Sequence, residues 1–196
     1  DALAYFVKRV GAQTAIQLQV GTPFDYERQM KLVAVKKMPD PREAGYRDAL
    51  IHWIEHFVKQ THGKAFVLFT NYKLMQELGE RMQPFFDKLG GACFIQGTGT
   101  PRSTMLEKFK HDVDSVLFGT DSFWQGVDVP GDSLSVVVIT KLPFDVPTDP
   151  LIAARSEMYE DSFNQYYLPE AILKFRQGFG RLIRTASDRG IVAILD

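Results

Sequence analysis

Six short runs rich in Val, Ile, Leu and Phe recur along the chain, and stretches with helical apolar spacing separate most of them. No other feature constrains the fold as strongly. A strand, a helix and another strand in succession call for a crossover connection, which makes neighbouring strands parallel and covers both faces of their sheet. "KLVAVKK" (31–37) reads as a strand, and "YRDALIHWIEHFVKQ" (46–60) as a helix whose apolar face carries Leu50, Ile51, Ile54, Phe57 and Val58. "KAFVLFT" (64–70) reads as a strand buried on both sides, after which Asn71 is placed to cap the helix "YKLMQELGERMQPFF". "ACFIQ" (92–96), a helix near 103–110, "SVLFGT" (115–120), "LSVVVIT" (134–140), helices over about 150–163 and 169–184, and "GIVAILD" (190–196) complete the series. The pattern predicts an α/β fold, an open, doubly wound parallel sheet flanked by helices. Ligands of such sheets gather at the carboxyl ends of the strands, here in the loops that begin at Thr70, Gln96, Gly119 and Thr140.

With 196 residues the chain suits one substantial domain. Its net charge of −1 leaves no global basic footprint, so any contact with nucleic acid must come from a local groove. Cys93 is the one cysteine, which excludes an intrachain disulfide and any all-cysteine metal or iron-sulfur site within these residues. The longest apolar run is far shorter than the roughly 20 residues of a spanning helix, so a soluble protein with no membrane partner is expected, and the single cysteine suits a reducing, cytoplasmic setting. The chain opens without Met or a signal pattern and stops on a strand, and is therefore expected to be a piece of a longer protein.

Two local matches carry little weight. "HWIEH" places His52 and His56 one helical turn apart with Glu55 between them, as in some zinc proteases, but the same helix face carries Asp48 and Lys59 like any solvated surface. "IQGTGTPRS" (95–103) has Gly97 and Gly99 after a strand, yet lacks both the third glycine of a dinucleotide fingerprint and the Gly-Lys-Ser/Thr ending of a Walker loop. No complete Walker A motif occurs anywhere in the chain. If the protein handles a nucleotide, its primary phosphate cradle lies elsewhere.

The stretch "LPEAILKFRQGFGRLIRT" (168–185) is more telling. On a wheel of 100° per residue, Lys174, Arg181 and Arg184 fall within about 60° of Gln177, with Ile172, Phe175, Phe179, Leu182 and Ile183 opposite. The expectation is one packed face and one cationic stripe. Gly178 and Gly180 would each cost about 1 kcal/mol inside a helix, which implies that something approaches the backbone there. Arginine forks match phosphate oxygens and stay charged, so a pair one turn apart can offset charge on a transferring phosphoryl group, with Gln177 holding the same phosphate or a water. That would be half of a site. Upstream, the loop after "SVLFGT" holds Thr120, Asp121, Trp124, Gly126, Asp128 and Gly131. Asp128 there suits a ribose hydroxyl or an arginine, or simply a tight turn, and Trp124 suits core packing or base stacking.

Together, "FGTDSFWQGVDVPG", the 168–185 stretch and "DRGIVAILD" resemble motifs V and VI of superfamily 2 helicases. "TPFDYERQM" (22–30) and "KLPFDVPTDPLIAARSE" (141–157) add a likeness to the DinG-type branch of the XPD-like DNA helicases. The resemblance implies that residues 1–196 form the second of two RecA-like domains of an ATP-dependent DNA helicase. ATP and Mg²⁺ would then be held mainly by the first RecA-like domain of the same chain. By motif position Arg184 would be the arginine finger, Arg181 a second phosphate contact and Gln177 part of the γ-phosphate network. Gly180, Gly126 and Asp128 would lie beside the nucleotide. Single-stranded DNA would cross the crest of both domains, gripped here by Thr70, Asn71 and Thr120 through its phosphates. Relatives of this kind often carry an iron-sulfur cluster in the first domain, and some instead a fused exonuclease-like domain, neither of which lies in this segment; 5′ to 3′ polarity is common among them. Many have Glu where this chain has Gln125. The alternative implied is a nucleotide-gated DNA-binding module that regulates a linked exonuclease without separating strands.

Overall fold

The computed structural model describes residues 2–124, 129 and 134–196. Helix α1 (Ala2–Val10) leads through an extended segment to a short α2 (Tyr26–Gln29) and strand β1 (Met30–Ala34). Next come α3 (Tyr46–Thr61), β2 (Ala65–Leu68), α4 (Tyr72–Leu89), β3 (Cys93–Ile95), α5 (Arg102–His111), β4 (Val116–Gly119) and α6 (Asp121–Trp124). β5 (Val136–Ile139), α7 (Pro150–Ser156), a π-helical turn (Phe163–Tyr167), α8 (Leu168–Phe179) and β6 (Gly190–Ile194) complete the chain.

The strands form one six-stranded sheet in the order β1-β6-β5-β2-β4-β3, with every pairing parallel. Registers run Ala65 opposite Val116 and Val136, and Met30 opposite Gly190. The three central strands β5, β2 and β4 are buried at every residue, which is why their sequences are continuous apolar runs without alternation. Side chains still alternate between faces. Val67 and Phe69 of the β2 run join Leu50, Ile54 and Phe57 of α3 and Met75, Leu78, Met82 and Phe86 of α4. On the opposite face Phe66 and Leu68 join Met105, Leu106 and Phe109 of α5 and Phe123 and Trp124 of α6. The predicted doubly wound architecture is the one observed.

Asn71 caps α4 as predicted, its side-chain oxygen accepting from the Leu74 N–H at 3.0 Å. The region after β5 departs from prediction in two ways. The helix predicted over 150–163 ends at Ser156, and a π-helical turn runs directly into α8. The helix predicted over 169–184 ends at Phe179. Gly180 is its C-cap: the Gly180 N–H donates to Arg176 O at 2.8 Å, and Leu182 N–H then donates to Phe179 O at 2.9 Å, so the chain leaves the helical path. That exit buries Leu182 and Ile183 in the core, whereas Ile172, predicted on the packed face, is 47% exposed. Arg181 and Arg184 therefore sit on the turn between α8 and β6, and the single cationic stripe does not form. Lys174, its fourth member, is ion-paired with Asp145. Among the described residues no helix is long and apolar enough to cross a membrane.

Candidate nucleotide and nucleic-acid face

Because the strands are parallel, all carboxyl ends open onto one crest, and the adjacency of β5, β2 and β4 sets Thr140, Thr70 and Thr120 side by side there. Thr70 is exposed, as is Asn71, whose side-chain oxygen is committed to the cap. Thr120 is 9% exposed, and its backbone N–H and hydroxyl both donate to Gln96 Oε1, at 2.7 and 3.0 Å. Gln96 is itself anchored, its N–H donating to Phe118 O at 3.0 Å and its carbonyl accepting from Gln76 Nε2. Sequence reasoning marks Gln96 only as the start of a loop. Its link to Thr120 comes from the β3-β4 pairing, which no local motif encodes.

Beside Thr70 and Asn71 the crest opens into a groove of about 710 Å³ between the start of α4, the 141–147 loop and the flank of α8. Lys73, Lys141, Arg47 and Lys174 line it, against two acids, Glu77 and Asp145. Arg47 is paired with Glu77 at 2.7 Å and Lys174 with Asp145. Phe144 lines the same groove and is 39% exposed. None of Lys73, Lys141 and Phe144 is a candidate from sequence.

The 168–185 stretch splits its two arginines between opposite environments. Arg181 turns inward and is 4% exposed. One terminal nitrogen donates to Phe123 O at 2.6 Å; the other donates to Trp124 O and, at 3.2 Å, to Gln177 O. The guanidinium stands 5.5 Å from the centre of the Phe66 ring, and its Nε has no partner among the described residues. Burial, with a smaller contribution from the charge of Arg102, pushes its pKa down to about 10. It remains a cation at neutral pH, its charge spread over the carbonyls that end α6. The sequence expectation of a second phosphate contact meets here a side chain already committed to backbone.

Arg184 faces outward. Its N–H donates to Asp188 Oδ2 at 2.7 Å and its Nε to Arg181 O at 3.2 Å, while Asp188 also accepts from Thr185 N–H and hydroxyl, each at 2.8 Å. Gln29 Nε2 donates to Thr185 O at 2.7 Å and Asp188 O at 3.1 Å from the far side of the turn. Burial raises the Asp188 pKa, but the Thr185 and Arg184 hydrogen bonds and the Arg184 charge together outweigh it and leave it below the ordinary aspartate value. The turn is thus fixed at several points. Gln177 and Gly180 are exposed alongside Arg184. Gly126 and Asp128, with Gln125 and Gly131, lie outside the described residues.

Gly178 does answer a close approach, from within the domain. A Cβ there would stand 2.8 Å from the Trp124 ring. Trp124 is 2% exposed and its indole N–H donates to Phe69 O at 3.1 Å, so it packs the core and offers no stacking face. Gly97 has φ +89 and is approached by the Tyr72 hydroxyl, a positive-φ turn with no room for a side chain. In the 52–56 pattern, His56 bonds Gln60 at 2.8 Å and Glu55 pairs with Lys59 at 3.1 Å. Among the described residues no three His, Cys, Asp or Glu side chains gather to hold a metal ion.

Residues 54–196 match the family described as helicase C-terminal domain. The chain is 37% identical over 200 residues to the ATP-dependent DNA helicase YoaA of Escherichia coli (strain K12), covering 100% of this chain and 31% of that protein. It is 34% identical over 207 residues to the ATP-dependent DNA helicase DinG of Photobacterium profundum, covering 100% of this chain and 30% of that protein. Against the 3′-5′ exonuclease DinG of Bacillus subtilis (strain 168) the identity is 33% over 202 residues, 98% of this chain and 22% of that one. The chain thus spans about a third or less of the length of these curated relatives. Among solved structures, apo XPD superposes with a TM-score of 0.64 at 17% identity, covering 86% of this chain and 35% of that one. Domain 2 of the DEAD-box helicase Mss116p, bound to an RNA duplex, superposes with 0.53 at 18% identity, covering 85% of this chain and 53% of that one. Both share its RecA-like fold.

Proposed function

Because this chain belongs to the helicase C-terminal domain family, we propose that it is the second RecA-like motor half of an ATP-dependent DNA helicase, coupling hydrolysis to movement along single-stranded DNA. The observation that carries this reading is the turn after α8. It holds the motif's second arginine, Arg184, outward on a backbone braced by Asp188 and Gln29, in a chain that has no Walker loop of its own. Such a residue serves a nucleotide bound by another domain. When the two domains close, Arg184 donates to the equatorial oxygens of the γ-phosphoryl group as water attacks, offsetting the charge of the transition state. Gln177, exposed on α8 seven residues earlier, orients the same phosphate or the water. Mg²⁺ and the phosphate cradle belong to the first domain. Thr70 and Asn71, exposed on the crest at the end of the central strand β2, contact the sugar-phosphate backbone of the strand, and Thr120, bonded to Gln96, braces the crest beside them. Opening after hydrolysis then advances the grip.

Hydrolysis of ATP by the full-length parent, with and without single-stranded DNA, tests this. DNA-stimulated turnover is expected, and Arg184→Ala should lower it by about 10³-fold or more with a smaller effect on ATP binding. Unchanged turnover of bound ATP in that variant would remove Arg184 from the mechanism. A second reading, a nucleotide-gated DNA-binding module regulating a linked exonuclease, is favoured by one observation: the 33% identical Bacillus subtilis relative is named a 3′-5′ exonuclease. A strand-separation assay distinguishes the two, since only the motor unwinds a duplex with a single-stranded tail.

A further inference from the structure

Phe144 and Phe163 form an aromatic pair on the rim of the groove, with ring centroids 6.0 Å apart and planes 17° from parallel. Their exposures are 39% and 53%, large for phenylalanines in contact with each other. The loop that carries Phe144 is held rigidly. Pro143 and Pro147 flank it, the Leu142 N–H donates to the Asp196 carboxylate at 3.0 Å, Phe144 N–H donates to Leu142 O at 2.9 Å, and Asp145 is paired with Lys174 of α8. An aromatic face kept in water on a stiffened loop has paid its ordering entropy before any ligand arrives. Lys73 and Lys141 line the same groove, and neither makes an ion pair among the described residues, while Arg47 and Lys174 already have carboxylate partners. On a chain of net charge −1 this gives one local region with spare positive charge beside a flat apolar face.

We propose that the Phe144 ring, backed by Phe163, is a stacking platform for a nucleobase of the bound single strand, with Lys73 and Lys141 receiving the adjacent phosphates. This rests on the DNA-binding reading above and deepens it: the contacts assigned to Thr70 and Asn71 reach the phosphates, whereas this one reaches a base. Nucleic acid fits the charge and shape together. A peptide segment would use the apolar face but has no systematic need of the two lysines, and a free phosphate would use the lysines but not the ring. Stacking of this kind tolerates any sequence, because every base has a π-face, yet it fails on a strand without bases.

The test is equilibrium binding of two labelled strands of equal length to the full-length parent, one of oligo-dT and one with abasic sites throughout, at one fixed salt concentration. The wild type should hold oligo-dT more tightly than the abasic strand. Phe144→Ala should weaken oligo-dT binding about tenfold, leave abasic binding within about twofold, and so narrow the preference. Phe144→Trp should preserve it. Phe144→Leu, which keeps apolar bulk without the π-face, should behave like the alanine variant and covers the event that the latter folds poorly. Equal loss on both strands, or no loss on either, would overturn the platform while leaving the DNA reading intact. Failure of the wild-type parent to bind either strand would overturn the DNA reading, and the platform with it.

Discussion

Arg181 and Arg184 are three residues apart in one motif, and the fold gives them opposite duties. Among the described residues Arg181 bonds three backbone acceptors, the Phe123, Trp124 and Gln177 carbonyls, so it fastens the end of α6 to the exit of α8. Removing it strands buried acceptors, at about 1–3 kcal/mol each when left unsatisfied, against which the relief of a buried charge offsets a part. Arg181→Ala should therefore lower stability by about 2 kcal/mol, a drop of several degrees in Tm and a larger one than Arg184→Ala causes. Thermal unfolding of the two variants side by side checks this; equal Tm values would return Arg181 to the surface role its motif suggests. The residue types and spacing of this pair are legible in the sequence. Their orientations are not, because the acceptors that draw Arg181 inward belong to a segment 57 residues away in the chain.

At the scale of elements, α8 shows where periodicity stops being informative. The apolar spacing of 168–185 continues beyond residue 180, and a helical wheel assumes that the helix does too. Gly180 ends it, and Leu182 and Ile183 beyond it are apolar because they are core, not because they are helical. Gly178 is the counterpart. Its cost to the helix does signal a close approach, but the approaching group is the Trp124 indole and not a ligand. Gly178→Ala gains about 1 kcal/mol of helix propensity yet pushes a Cβ to within 2.8 Å of that ring, and overpacking costs about 1–3 kcal/mol. A net destabilisation is expected because Trp124 is pinned by its bond to Phe69 O; a chemical denaturation midpoint at or above that of the wild type would show that the ring gives way. The strands are more legible than the helix ends. A continuous run such as 65–68 has few alternatives once helices flank it, and all six predicted runs pair in the sheet.

At the scale of the whole molecule, the parallel sheet puts Thr70, Asn71 and Thr120 on the crest at the carboxyl ends of its strands, while Arg184 lies on the turn that enters β6 beside Gln29 and Gln177 lies on α8, and the sequence contains no complete Walker A motif. The 196-residue chain alone should accordingly show no ATP hydrolysis, with or without DNA; steady turnover by the pure chain, abolished by no contaminant control, would contradict the half-site reading. The groove is not legible in the sequence because it is a product of tertiary assembly: α4, the 141–147 loop and α8 meet there from three separate parts of the chain. Helix α8 touches both ends of this arrangement. Lys174 ties its flank to the loop carrying Phe144, and about one and a half helical turns later it gives way to the turn carrying Arg184. One helix therefore bears on both surfaces, and lengthening or kinking α8 would change how the two are placed relative to each other without touching the residues of either.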